Sequence, residues 1–209
     1  MRKAVFTLAL ITLACASHAW ADADTERGRL LAETCVGCHG VEGYTNAYPT
    51  FRVPRIAGQH EAYLLAALEA YRDRERQHPT MVGQSRALSS DDLRDISAYL
   101  AESGREEARA DRRARSVGDP ARGEEVAGER GCRACHGTDG MSSEGQNPPS
   151  PILAGQHADF LYQSMKDYQD GTRDNAVMSG QLQGLSDRDL RDMAAFYASQ
   201  PGPLRIMPR

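Results

Sequence analysis

The sequence has no cysteine outside two short motifs and an apolar N-terminal stretch. Of its five cysteines, Cys15 lies in an apolar stretch near the N-terminus, and the other four form two short motifs, CVGCHG at residues 35–40 and CRACHG at residues 132–137. Exported proteins often build a framework of disulfides between distant cysteines, and this chain has none available for one. The cysteines therefore serve the two motifs, although a disulfide inside each motif stays open at this point.

Long apolar runs are also missing beyond the N-terminus. Residues 1–21 combine a basic start, a brief apolar stretch and the small-x-small ending Ala19-Trp20-Ala21, which is typical of a secretory signal peptide. The run is too short for a comfortable membrane span, which needs about 20 apolar residues. We expect cleavage after Ala21. A lipoprotein site at Cys15 is disfavoured, because Thr12 stands where such a site has a large aliphatic residue.

The chain carries no excess of positive charge. Once Arg2 and Lys3 leave with the signal peptide, 23 basic residues face 29 acidic ones, a net charge of −6, and Lys166 is the remaining lysine. Proteins that bind nucleic acid present a basic stripe. This composition therefore argues against a nucleic-acid partner.

The chain repeats itself after 97 residues, and no insertion is needed between the first and last matched positions. The shift superimposes Cys35, Cys38, His39 and Met81 on Cys132, Cys135, His136 and Met178. It also superimposes the AGQH of residues 57–60 on the AGQH of residues 154–157. Self-similarity of this kind indicates two copies of one domain.

Each copy shows helical periodicity and little strand pattern. A short helical run enters the CxxCH motif, a loop rich in glycine and proline follows, and the segments 60–73 and 157–170 are apolar at helical spacing. A methionine-bearing loop then precedes a last helix, whose start has the Ser-x-x-Asp spacing of a capping box at 89–92 and 186–189. The predicted fold class is all-α.

These patterns divide the chain into four parts. We expect the signal peptide at 1–21, an N-terminal domain at 22–102, a linker at 103–119 and a C-terminal domain at 120–209. The linker is charged throughout and ends in Gly-Asp-Pro, so it is predicted to be an exposed connector. Domains of roughly 80–90 residues have thin cores and gain much from a bound group that joins the core.

Three chemistries use a CxxC pair: a zinc site, a dithiol redox switch and covalent haem attachment. A zinc site needs four ligands, usually from closely spaced pairs, and a thioredoxin-like switch lies in a βαβ context that this chain lacks. CxxCH is the attachment signature of c-type haem, in which both thiols bond to the porphyrin and the histidine binds the iron. The doubled motif predicts two covalently attached haem c groups.

The ligand on the other side of each iron decides what the haem can do. Met81 and Met178 correspond between the copies, and each lies 42 residues after its motif histidine. Histidine with methionine is the ligation of electron-carrying cytochromes c, so these methionines are the predicted second ligands. His60 and His157 also repeat, and bis-histidine ligation remains the alternative. His78 is predicted to be a surface residue.

Together these features resemble the dihaem class I cytochromes c of the cytochrome c4 type over essentially the whole mature chain. The resemblance rests on the CxxCH motifs, the repeated methionines and the Pro-x-[aliphatic]-Ala-Gly-Gln blocks at 54–59 and 151–156. It implies two tandem class I cytochrome c domains in the bacterial periplasm, each a few helices around one covalently bound haem. It also implies that the carbonyls of Pro54 and Pro151 accept a hydrogen bond from the iron-binding histidines.

The resemblance implies an electron carrier rather than an enzyme, without catalytic residues. Such a carrier passes single electrons, as a monomer, from a quinol-oxidising membrane complex towards a terminal oxidase. Two alternatives stay open, because a fold does not decide a function. One is a dihaem enzyme, such as a peroxidase or a sulfur-compound oxidase, and the other is a cytochrome subunit of a larger dehydrogenase.

The two copies also differ where the haem is expected. Arg55 aligns with Ile152, and the stiff Pro79-Thr80 before the first methionine aligns with Ala176-Val177 before the second. We therefore expect two haems of unequal reduction potential.

Overall fold

The computed structural model describes residues 22–104 and 110–208, so the predicted signal peptide lies outside the described residues. Within those two ranges the chain forms ten α-helices, two short 3-10 turns and isolated bridges, without a β-sheet. The all-α prediction is confirmed. No helix in the described ranges is long and apolar enough to cross a membrane.

The first half contains five helices. They are α1 at Thr25–Leu31, α2 at Val36–His39, α3 at Glu61–Arg72, α4 at Pro79–Ser85 and α5 at Ser90–Glu102. A 3-10 turn at Ala32–Cys35 joins α1 to α2. The hydroxyl of Ser89 accepts from the backbone N–H of Asp92 at 3.1 Å, and the Asp92 carboxylate accepts from the Ser89 N–H at 2.8 Å. This is the predicted capping box at the start of α5.

The second half repeats the arrangement. Its helices are α6 at Pro120–Glu129, α7 at Arg133–His136, α8 at Ala158–Asp170, α9 at Ala176–Leu182 and α10 at Asp187–Ser199. The second predicted capping box, Ser186 with Asp189, starts α10. The prediction that Met81 and Met178 lie in loops is wrong, since they lie in α4 and α9. Both helices are seven residues long, which is too short for apolar periodicity to reveal them.

The first and last helices of each half cross at a glycine. A Cβ on Gly28 would lie 2.0 Å from the backbone oxygen of Asp95, and one on Gly123 would lie 1.9 Å from that of Asp192. The backbones therefore touch at both crossings, where no side chain fits. The Arg27 guanidinium holds the first crossing by pairing with the Asp95 carboxylate at 2.5 Å.

The sequence also repeats at these two helix crossings, but the 97-residue shift does not align the two copies there. Residues 24–28 read DTERG and residues 119–123 read DPARG, an offset of 95 residues. The second half has two more residues between this block and its CxxCH motif. The repeat therefore starts earlier than the cysteines, once that difference is allowed.

Residues 110–119 form the exposed connector that their charge predicts only in part, because Asp111 and Ala114 are buried. Asp111 is 5 % exposed, and its carboxylate accepts from the Arg52 guanidinium of the first half at 2.9 and 2.7 Å. The same carboxylate accepts from the backbone N–H of Ala158 at 3.1 Å. Ala114 is buried in the apolar cluster of the second half. The prediction of exposure is wrong at Asp111, because its carboxylate supplies the counter-charge of a buried arginine.

The C-terminal segment returns to the first half. Met207 is 1 % exposed within the apolar cluster that contains Leu64, and its N–H donates to the carbonyl oxygen of His39 at 2.8 Å. Arg205 and Ala57 exchange backbone hydrogen bonds of 2.9 and 3.2 Å. A segment expected to belong to the second domain therefore completes the core of the first.

Replacing Asp111 by alanine should destabilise the protein by about 3 kcal/mol, because Arg52 would stay buried with Asp159 as its remaining partner. Burial opposes ionisation of Asp111, but hydrogen bonds from Arg52 and from two backbone N–H groups outweigh it and lower its pKa to about 2. A lowered carboxyl pKa stabilises the fold above the unfolded-state value of about 3.9. This stabilisation is lost as the pH falls from about 4 towards 2.

Urea unfolding of the wild type and the variant at pH 7 and pH 3 measures both effects. The difference in unfolding free energy between the wild type and Asp111→Ala should be smaller at pH 3 than at pH 7. The control is Asp73→Ala, which removes an exposed carboxylate paired with Arg72 and should change little. The role of Asp111 would be contradicted if Asp111→Ala and Asp73→Ala lost the same unfolding free energy. It would also be contradicted if the effect of Asp111→Ala were as large at pH 3 as at pH 7.

Candidate functional site

A cavity of about 990 Å³ lies between the two halves. Proteins hold small ligands in cavities of roughly 300–1,000 Å³, so this one is at the upper limit. Seven of the eight predicted site residues line it: Cys38, His39, Met81, Cys132, Cys135, His136 and Met178. Cys35 is the exception, because it packs against the apolar cluster that contains Ala32.

Each motif histidine is held by a proline carbonyl. Nδ1 of His39 lies 2.9 Å from the oxygen of Pro54, and Nδ1 of His136 lies 3.2 Å from the oxygen of Pro151. A carbonyl oxygen only accepts, so each ring carries its proton on Nδ1 and leaves Nε2 free to bind a metal. Burial lowers the pKa of both histidines, which keeps the rings neutral. The expected role of the two prolines is confirmed.

The described cysteines form neither a disulfide nor a zinc site. The four described cysteines form no disulfide, and burial raises the pKa of the Cys35 and Cys132 thiols. Within the described ranges no three side chains of histidine, cysteine, aspartate or glutamate are grouped to hold a metal ion. The zinc interpretation therefore lacks its ligand set.

A capped helix presents each methionine. Nδ1 of His78 accepts from the N–H of Met81 at 3.4 Å, and the side-chain oxygen of Asn175 accepts from the N–H of Met178 at 3.0 Å. These residues are the N-caps of α4 and α9, a role that the sequence reasoning missed. The prediction of His78 as a surface residue is wrong, because its ring lines the cavity 6.5 Å from the ring of Phe51.

The other repeated histidines lie outside the cavity lining. Nε2 of His60 lies 2.8 Å from the carbonyl oxygen of Ser142, and His157 is 1 % exposed. Burial lowers the pKa of His157 to about 4, and the charges of Arg55 and Arg52 add to the effect. His60 and His157 immediately precede α3 and α8, as predicted. Their positions favour the methionines as second ligands.

Two arginines on the cavity wall form no direct ion pair with a carboxylate among the described residues, although their charges act on the nearby Asp167. The guanidinium of Arg76 lies 4.5 Å from the ring centre of Tyr71, and that of Arg173 lies 4.4 Å from the ring centre of Tyr168. Arg173 also donates to the hydroxyl of Tyr63 at 3.0 Å. Guanidinium groups pair readily with carboxylates. The cavity therefore fits haem, an apolar macrocycle that carries two carboxylates.

Comparison with known proteins decides the family. A family model described as Cytochrome c matches residues 25–103 and 120–200. Cytochrome c4 of Pseudomonas aeruginosa is 33 % identical over 202 residues, which cover 94 % of this chain and 98 % of the relative. The chain belongs to the cytochrome c4 family. This cytochrome therefore carries two covalently bound haem c groups and is an electron carrier, not an enzyme.

A solved structure and a second relative are also similar to this chain. The solved structure of reduced cytochrome c4 from Pseudomonas stutzeri has a TM-score of 0.69 at 28 % identity, covering 85 % of this chain and 99 % of that chain. A protein of Thiomonas intermedia named thiosulfate dehydrogenase electron acceptor is 31 % identical over 206 residues, covering 95 % and 90 %. The prediction of two tandem cytochrome c domains is confirmed.

Replacing Asn175 by alanine should cost about 1 kcal/mol of folding free energy, because α9 loses its N-cap. The matched change His78→Asn should be neutral or stabilising, since an amide oxygen caps a helix better than a ring nitrogen 3.4 Å away. Urea unfolding of the two holoprotein variants measures both effects. A greater loss in His78→Asn than in Asn175→Ala would contradict the capping roles.

Proposed function

We propose that this cytochrome is a periplasmic one-electron carrier in which each iron is bound by a histidine and a methionine. The attachment residues are Cys35, Cys38, Cys132 and Cys135, and the axial pairs are His39 with Met81 and His136 with Met178. When bound, each haem supplies a reversible one-electron change of its iron. The observation that carries the proposal is the placement of both corresponding methionines, on capped helices, along the cavity that the motif histidines line.

The residues of the chain keep each iron in a constant environment. The carbonyls of Pro54 and Pro151 orient the two histidine rings, and apolar side chains such as Leu64 and Leu161 line the cavity. A site with both axial positions filled leaves no place for a substrate. A peroxidase or a sulfur-compound oxidase needs an open position and an acid–base group beside it. A carrier is therefore favoured over the dihaem enzyme.

The proposal includes the processing and layout of the chain. Export follows cleavage after Ala21, and the mature monomer has domains at 22–102 and 120–209 with the linker 103–119 between them. The end of the second domain packs against the first. The family match over 25–103 and 120–200 supports these boundaries. The electron donor is a quinol-oxidising membrane complex and the acceptor lies on the path to a terminal oxidase. A permanent place in a larger dehydrogenase would show as co-purification with that enzyme.

A second candidate donor is a thiosulfate dehydrogenase. The Thiomonas relative, named for accepting electrons from that enzyme, is similar over 95 % of this chain. Stopped-flow reduction of the oxidised cytochrome by a purified thiosulfate dehydrogenase with thiosulfate distinguishes the two donors. Faster reduction by this enzyme than by a quinol-oxidising complex would favour the second candidate, and the reverse order is expected for the first.

The visible spectrum of the reduced protein, before and after carbon monoxide, tests the axial ligands. We expect the wild type to keep an unchanged low-spin spectrum. Met81→Ala and Met178→Ala should each allow about half of the haem to bind the gas, because one iron in two loses a ligand. Met141→Ala is the control, since Met141 is 40 % exposed and outside the cavity lining. Carbon monoxide binding by the wild type would overturn the assignment.

A further inference from the structure

Gln59 and Gln156 are buried at the contact between the two domains, at 5 % and 4 % exposure. They end the repeated Ala-Gly-Gln blocks, which the proposed ligand set does not use. Each glutamine reaches across to the residue that follows the histidine-holding proline of the other domain. Gln59 contacts Ile152, and Gln156 contacts Arg55.

Each glutamine amide pairs with both backbone groups of its partner residue. The side-chain oxygen of Gln59 accepts from the N–H of Ile152 at 2.8 Å, and its NH₂ donates to the Ile152 oxygen at 3.0 Å. The oxygen of Gln156 accepts from the N–H of Arg55 at 3.0 Å, and its NH₂ donates to the Arg55 oxygen at 2.8 Å. An amide offers both an acceptor and donors. Glutamine therefore satisfies both groups at once.

The glycine before each glutamine shapes this contact. Gly58 and Gly155 have φ values of +81° and +72°, in the left-handed region that favours glycine. A Cβ on Gly58 would also lie 2.7 Å from the backbone oxygen of Pro203. These constraints give a physical reason for the repeated Ala-Gly-Gln sequence.

One peptide group links Gln59 to the histidine of the other domain. The peptide between Pro151 and Ile152 donates through its N–H to Gln59 and accepts through its C=O from Nδ1 of His136, at 3.2 Å. Both hydrogen bonds belong to one planar, conjugated unit. A hydrogen bond at the N–H polarises the carbonyl and strengthens the bond that the carbonyl accepts.

The reciprocal link has the same parts. The peptide between Pro54 and Arg55 donates through its N–H to Gln156 and accepts through its C=O from Nδ1 of His39, at 2.9 Å. Each motif histidine is therefore connected to a glutamine of the opposite domain by two hydrogen bonds and one peptide group. Among the described residues, no side chain of the histidine's own domain bonds to this peptide N–H.

We propose that Gln59 and Gln156 are positioning residues that set the reduction potential of the haem in the opposite domain. A more polarised carbonyl draws the Nδ1 proton and makes the imidazole a stronger donor to iron. A stronger donor stabilises the oxidised iron and lowers the reduction potential. This proposal rests on the axial roles proposed above for His39 and His136.

Matched variants of the holoprotein test whether each glutamine acts on the haem of the other domain. Gln59→Met and Gln156→Met keep the side-chain length and remove both hydrogen bonds of the amide. Redox titrations followed by NMR assign each potential through the ring signals of His39 and His136. Gln59→Met should raise the potential of the His136 haem, changing its one-electron equilibrium by roughly two- to tenfold, or about 20–60 mV. Gln156→Met should do the same to the His39 haem.

Several outcomes would overturn the proposal: no shift, equal shifts of both haems, or a larger shift of the haem in the variant's own domain. Gln200→Met is the control, because Gln200 bonds to Phe196 at the end of α10 and should shift neither potential. Exchange of the histidine Nδ1 proton gives a second measurement. It should quicken at His136 in Gln59→Met and at His39 in Gln156→Met, a crossed pattern that general loosening would not produce.

Gln59→Glu keeps an acceptor for the Ile152 N–H at the same length, and it loses the NH₂ group that donates to the Ile152 oxygen. Measured at a pH where the carboxyl is ionised, it should lower the potential of the His136 haem, because a carboxylate accepts more strongly than an amide. A raised potential would contradict the polarisation argument. Failure of the axial assignment would appear separately, as carbon monoxide binding by the unmodified protein.

Discussion

The rest of the structure depends on the buried hydrogen bonds that Gln59 and Gln156 make to the backbone of Ile152 and Arg55 in the other domain. A buried amide left without partners costs about 1–3 kcal/mol, so both glutamines are satisfied only when the domains meet in one arrangement. The proline carbonyls lie one peptide group away from these contacts, and the motif histidines donate to those carbonyls. The cavity and the orientation of its histidines therefore follow from how the domains meet.

Arginine side chains supply several of the polar contacts between the domains. Arg52 is buried against Asp111 and Asp159, so its charge is compensated within the protein. Arg76 and Arg173 line the cavity and form no such direct ion pair among the described residues. The haem carboxylates would form ion pairs with the guanidinium groups of these two arginines. A chain with a net acidic charge therefore concentrates cationic groups where two anionic cofactors bind.

The two haem sites share one topology but differ in detail. The histidine-to-proline distance is 2.9 Å in the first domain and 3.2 Å in the second. The methionine helix is capped by a ring nitrogen in the first domain and by an amide oxygen in the second. Such partners around a ligand tune the metal that it binds. These differences support the expectation of two unequal reduction potentials.

The sequence by itself determined the repeat, the all-α class and the capping boxes, and it predicted the eight haem residues. These features depend on spacing along the chain, which a sequence displays directly. The short helices α4 and α9 were missed because a two-turn helix with a histidine or asparagine cap shows little periodicity. The DTERG and DPARG blocks can be found in the sequence, but they repeat after 95 residues, whereas the cysteines repeat after 97.

Only the tertiary structure decided how the two copies meet. The glutamine contacts join residues 93 and 101 positions apart, and the pairing of Arg52 with Asp111 spans 59 positions. The burial of Met207 in the first domain likewise depends on the path of the tail back across the interface. Partners at such separations follow no periodic pattern, because packing of the two domains alone brings them together.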